Sequence, residues 1–174
     1  MPVAILIGPP GAGKSSVGRS LALHLDTQFH DTDDLIENEH GMSVSEIFLD
    51  KGETFFRECE KEIVAREVAS FSGVLSLGGG AVMDSATREL LLDSEHPVIF
   101  LDVSLASAAP RIGFNRDRPL LVGNPRAKWQ ELMNLRRPIY EELADITISS
   151  DSATPSQLAR EIASRLTTLG GSQR

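Results

Sequence analysis

A chain of 174 residues, 41% hydrophobic and 24% charged, is long enough to bury one core without disulfide or metal staples. Its net charge of −8 excludes a general nucleic-acid binder, which needs a broad basic face. No apolar run nears the roughly 20 residues of a membrane span, and the apolar opening at 3–7 is too short for a signal-peptide core. The lone Cys59 rules out an internal disulfide and fits a reducing cytoplasm.

In chain order, a first strand at 3–7 runs into Gly8-Pro9-Pro10-Gly11-Ala12-Gly13-Lys14-Ser15 and then a helix at 15–25. This is G-x-x-x-x-G-K-[ST] between a strand and a helix, the context that gives the motif its meaning. Glycines let the backbone wrap phosphate oxygens, and the helix N-terminus adds partial positive charge. The nucleotide-binding candidates are therefore Gly11, Ala12, Gly13, Lys14, Ser15 and Ser16. Lys14 supplies charge to the β- and γ-phosphates of ATP, and the Ser15 hydroxyl suits Mg²⁺.

A short strand at 28–30 ends in Asp31-Thr32-Asp33-Asp34, followed by a helical stretch at 35–40. One aspartate suffices as a helix cap. Beside a phosphate loop, another can hold Mg²⁺ through water and another can take a proton from an attacking hydroxyl. Ser43 with Glu46 forms a capping box that opens a further helix. In the helix at 53–70, Arg57 and Glu60 share a face, so Glu60 can orient the Arg57 guanidinium toward a substrate carboxylate. Phe48 and Phe56 are candidates for walling the same pocket. A strand at 74–77 leads into Gly78-Gly79-Gly80, where a ligand lying against bare backbone explains three costly glycines.

Then come a helix at 85–92, a strand at 98–101 and a helix at 104–111 containing Pro110, which should kink or shorten it. Between 111 and 137 lie seven basic residues (Arg111, Arg116, Arg118, Arg126, Lys128, Arg136, Arg137) against Asp117 and Glu131. That local excess inside an acidic chain suits a small polyanion. The segment 112–125 reads as a mobile lid hinged at Gly113 and Gly123, whose arginines neutralise a phosphoryl group in flight and exclude water. In the helix at 128–142, one of Arg136 and Arg137 should face the cleft and the other solvent. A strand at 146–148 precedes a second capping box, Thr154 with Gln157, and a helix at 155–166; residues 170–174 read as a disordered tail. Strands alternating with helices give an α/β, three-layer fold: a five-stranded parallel sheet with helices on both faces, as one domain over 1–174, with 32–60 as its substrate-binding region.

Together the phosphate loop, the Asp31-Thr32-Asp33 turn, Phe56-Arg57 with Glu60, the glycine triplet, Arg118-Pro119-Leu120 and Arg136-x-Pro138-x-Tyr140 resemble the shikimate kinase family over nearly the whole chain. The resemblance implies a P-loop, nucleoside monophosphate kinase-like fold. It also implies transfer of the ATP γ-phosphate to the 3-hydroxyl of shikimate in aromatic amino-acid biosynthesis, by a cytoplasmic monomer. On that resemblance Lys14 and Arg118 stabilise the transferring phosphoryl, and Ser15 and, through water, Asp31 hold Mg²⁺. Asp33 binds the ring hydroxyls and serves as base. Arg57 and Arg136 clamp the carboxylate, Gly78, Gly79 and Gly80 line the substrate, and Arg111 lies near the adenine. Two departures stand out: Pro110, and Ser150-Asp151-Ser152-Ala153 where family members often carry an arginine. Rival readings are a gluconate or nucleoside monophosphate kinase and, from another class, a catalytically silent nucleotide-binding regulator. Silence would expect loss of Lys14, Asp33 or Arg118, and all three are present.

Overall fold

The computed structural model describes residues 2–112 and 123–171. Strands β1 (Ala4–Ile7), β2 (Gln28–Asp31), β3 (Gly73–Ser76), β4 (Val98–Asp102) and β5 (Ile146–Ser149) form one parallel sheet in the order β2-β3-β1-β4-β5. β1, β3 and the first four residues of β4 are buried throughout, as their unbroken apolar runs require for strands covered on both faces. Ile5 pairs with Leu75 on one side and Val98 on the other, so β1 lies at the centre. The order reverses there, and in such sheets the cleft opens beyond the carboxyl ends of the strands at the reversal. Those ends run into Gly8, Asp31, Leu77 and Asp102.

The helices are α1 (Lys14–His24), α2 (Thr32–His40), α3 (Val44–Lys51), α4 (Glu53–Ser70), α5 (Ser85–Asp93), α6 (Leu105–Ile112), α7 (Pro125–Leu143) and α8 (Pro155–Gly171), with a 3-10 turn at Ala81–Met83. The main core covers both faces of the sheet, while Ile36, Ile47, Phe56 and Ile63 form a separate small core under α2, α3 and α4.

Three helix boundaries differ by three residues or more from those expected from the sequence, each for a local reason. α2 begins at Thr32 rather than 35, because Asp31 itself is the cap and accepts the Asp33 N–H at 2.9 Å. That puts Asp33 in the first turn of a helix. α7 begins at Pro125, not 128, because the Asn124 side chain caps it and proline suits the first helical position. α8 continues through Gly170 and Gly171, where a disordered tail is expected; glycine is a poor helix former, but an already nucleated helix needs to fix only one further residue per step. Pro110 sits inside α6 and the helix continues past it to Ile112. Most of the expected lid, including Arg116, Arg118 and Pro119, lies outside the described residues.

Candidate active site

The loop from Gly8 to Gly13 bends where only glycine does so freely: φ is +148° at Gly8, +82° at Gly11 and +87° at Gly13. At Gly8 a Cβ would also lie 2.6 Å from the Leu101 carbonyl oxygen. The loop's carbonyls are tied back. Lys14 Nζ donates to Gly8 O at 2.8 Å and Pro9 O at 3.0 Å, Trp129 Nε1 to Pro10 O at 2.8 Å, and Arg111 Nη1 to Gly11 O at 2.8 Å. Each tie sets an N–H donor or a cation against a carbonyl oxygen, offsetting negative partial charge beside a site for an anion.

Beside the loop, the Asp31 carboxylate does two jobs. Oδ1 caps α2, and Oδ2 accepts the Ser15 hydroxyl at 2.9 Å. Two hard oxygen donors so close are what a Mg²⁺ corner needs. Asp33, Gly78 and Gly79 complete a cleft of about 320 Å³ with Gly11, Gly13, Lys14, Ser15, Ser16, Asp31 and Arg111.

The glycine triplet owes its composition to the protein's own side chains, a reason absent from the sequence reading. A Cβ on Gly78 would lie 2.7 Å from Asp33 Oδ1 and 2.8 Å from Glu60 Oε2. One on Gly79 would lie 3.3 Å from Arg136 Nη1, and one on Gly80 2.6 Å from both terminal nitrogens of Arg57. None of the three has a positive φ, so the demand is for space and not for conformation. The bare turn thus gathers two carboxylates and two guanidinia, from α2, α4 and α7, within touching distance of one backbone segment. Thr32, which the sequence reading passed over, accepts the Gly78 N–H at 3.1 Å and docks α2 on that turn.

Glu60 Oε1 takes a 2.7 Å bond from Arg57 Nη1, as the shared helix face predicted. Burial pushes the Glu60 carboxyl above its ordinary value, outweighing the neighbouring Arg57 and Arg136. Arg136 is 5% exposed with its Nε unpartnered, and it pairs with no carboxylate among the described residues. Arg137 is not simply solvated. It bonds Asp102 at 2.9 Å and lies over the Phe100 ring, anchoring α7 to β4. Phe56 belongs to the small core, where its ring meets Phe48 at 4.9 Å. Tyr140, quoted in the sequence only as part of a motif, donates to Gly79 O from a buried position. Its phenol is pushed up to about 12 by that burial.

On the far side, Ala12, Gly13, Ser16, Val17, Ala153, Pro155 and Leu158 line a second hollow of about 160 Å³ with Arg111 and Ser150. Arg111 Nη2 reaches Ser150 O at 3.4 Å. No helix among the described residues is long and apolar enough to cross a membrane.

A family model described as shikimate kinase matches residues 10–167. The shikimate kinase of Thermobifida fusca is 47% identical over 97% of this chain and 97% of its own length. That of Rhodococcus jostii is 46% identical over 95% and 98%. Among solved structures, shikimate kinase from Acinetobacter baumannii in complex with shikimate superposes with a TM-score of 0.91 at 34% identity, covering 95% of this chain and 92% of that one. With a match to the family over nearly the whole chain, and the acidic turn, Arg57 and Arg136 gathered at the glycine turn beside the P-loop, the chain belongs to the shikimate kinase family, whose members are ATP-dependent kinases.

Proposed function

We propose that the chain transfers the γ-phosphate of ATP to the 3-hydroxyl of shikimate, giving ADP and shikimate 3-phosphate. The observation that carries this reading is Arg136, a buried cation that forms no ion pair with a carboxylate of the described residues. A buried cation held only by the Tyr140 hydroxyl and a more distant Glu60 is costly, and an anionic acceptor supplies a direct counter-charge. Arg57, steadied by Glu60, gives the second arm of a carboxylate clamp across the Gly78–Gly80 backbone. Asp33 stands between that clamp and the phosphate loop, where a base for the attacking hydroxyl belongs.

On the nucleotide side, the N–H groups from Gly11 to Ser16 cradle the phosphates, and Lys14 leaves its two carbonyl partners for the β- and γ-phosphates. Arg118, outside the described residues, acts with Lys14 on the moving phosphoryl. Ser15 and Asp31 hold Mg²⁺, which when bound offsets the negative charge of the phosphates. The hollow beside Arg111 takes the adenine. The cytoplasm, which supplies ATP and keeps Cys59 reduced, is its compartment.

A substrate panel tests the reading. With MgATP, ADP is released on adding shikimate and not on adding gluconate or AMP. ADP release with gluconate alone would overturn the acceptor.

A further inference from the structure

The face that α7 turns inward carries Trp129, Met133, Arg136 and Tyr140, at spacings of four, three and four residues. Two of these four make hydrogen bonds to site backbone: Trp129 to Pro10 O in the phosphate loop and Tyr140 to Gly79 O in the glycine turn. Trp129 and Tyr140 stand eleven residues apart on the helix, and the segments they hold adjoin: a Cβ on Gly79 would lie 3.2 Å from Pro10 Cδ. Trp129 is 2% exposed, so little solvent competes with the carbonyl for its N–H.

Pro9 and Pro10 have no N–H, so after Gly8 the first donor that the loop offers is Gly11. In a trans peptide the C=O and the following N–H point to opposite sides. Holding Pro10 O against α7 therefore turns the Gly11 N–H away from α7, and Gly11 lines the phosphate cleft. The other ties to loop carbonyls compare poorly as fixed anchors. Lys14 is required by the nucleotide itself, and Arg111 bonds Gly11 O at an exposed position.

We propose that Trp129 is a positioning residue for the nucleotide. Through Pro10 its indole N–H sets the Gly11 peptide for phosphate, and it makes the loop rigid with the helix that carries Arg136. This rests on the reading that the Gly8–Ser15 loop takes ATP.

Trp129 is the chain's single tryptophan, which allows a substitution confined to the N–H. Expression in a tryptophan auxotroph with β-(3-benzothienyl)alanine keeps the bicyclic shape and removes the donor. The expected result is a KM for MgATP raised on the order of tenfold with the KM for the acceptor little changed; the melting temperature falls by a few degrees, because the Pro10 carbonyl loses its donor. In the unmodified protein the one indole N–H cross-peak should be protected from solvent exchange and should shift on adding MgADP. An unchanged KM for MgATP in the analogue protein would overturn the role of Trp129. So would an indole signal that exchanges freely and ignores MgADP while calorimetry shows MgADP bound, a result that still holds if the analogue protein does not fold. Calorimetry showing no MgADP binding at all would instead overturn the nucleotide reading, and this proposal with it.

Discussion

Glu60 shows how one residue can serve the site at the fold's expense. Its carboxyl is buried and bonds Arg57 through Oε1, while Oε2 has no hydrogen-bond partner among the described residues. Burial holds its pKa above the ordinary 4.5, so the folded protein keeps a proton that the unfolded chain releases. Glu60 then costs stability as pH rises from about 4.5 through the raised value, and below that window the cost is absent. Denaturant titrations of parent and Glu60→Gln across this range should show the parent losing stability relative to the variant as pH rises. A difference that stays constant with pH would show that Glu60 is not held up. Asp31 is the opposite economy, one carboxylate serving as helix cap and as partner of Ser15. A capping residue and a candidate Mg²⁺ ligand are the same atom group, which is why the two roles could not be separated by counting aspartates.

At the scale of elements, the site is three helices leaning on one glycine turn. Gly80→Ala would put a Cβ 2.6 Å from the Arg57 guanidinium, the far end of a flexible side chain. The guanidinium can yield, so the melting temperature should barely move while the KM for shikimate rises at least about tenfold through a displaced clamp arm. Gly73→Ala is the control. Its Cβ would meet the Gln28 carbonyl oxygen at 2.4 Å and the Phe71 ring at 2.5 Å, on backbone that β2 and β3 share. Overpacking there should cost about 1–3 kcal/mol of stability in denaturant unfolding, with kinetic constants little altered. If both variants lose stability alike, the glycine turn is a packing feature and not a clamp.

Over the whole molecule, the two cores are unequal. The sheet is covered on both faces by a large continuous cluster, whereas α2 and α3 rest on the four residues Ile36, Ile47, Phe56 and Ile63 and their partly buried neighbours. Fewer buried contacts mean a lower free energy of local opening. Native-state hydrogen exchange should therefore find the amides of Val44–Lys51 exchanging through a smaller opening than those of Ile99, Phe100 and Leu101. Equal protection would make the substrate-side helices part of the same cooperative unit as the sheet.

The sequence by itself determined the strands, most of the helices, the phosphate loop and the Arg57–Glu60 pair. Each is written in short-range pattern: apolar runs, 3.6-residue spacing, capping residues, a motif between strand and helix. It also named Asp33, the glycine triplet and Arg136, through their order along the chain. Only the tertiary structure decided why those glycines are bare, since Asp33, Glu60, Arg136 and Arg57 reach Gly78–Gly80 from three separate helices. Only it brought Trp129 to Pro10, 119 residues away, and Tyr140 to Gly79, 61 residues away. A side chain's local sequence sets which face of its helix it occupies, but its partner across the fold is set by how that helix packs, and no local pattern encodes that.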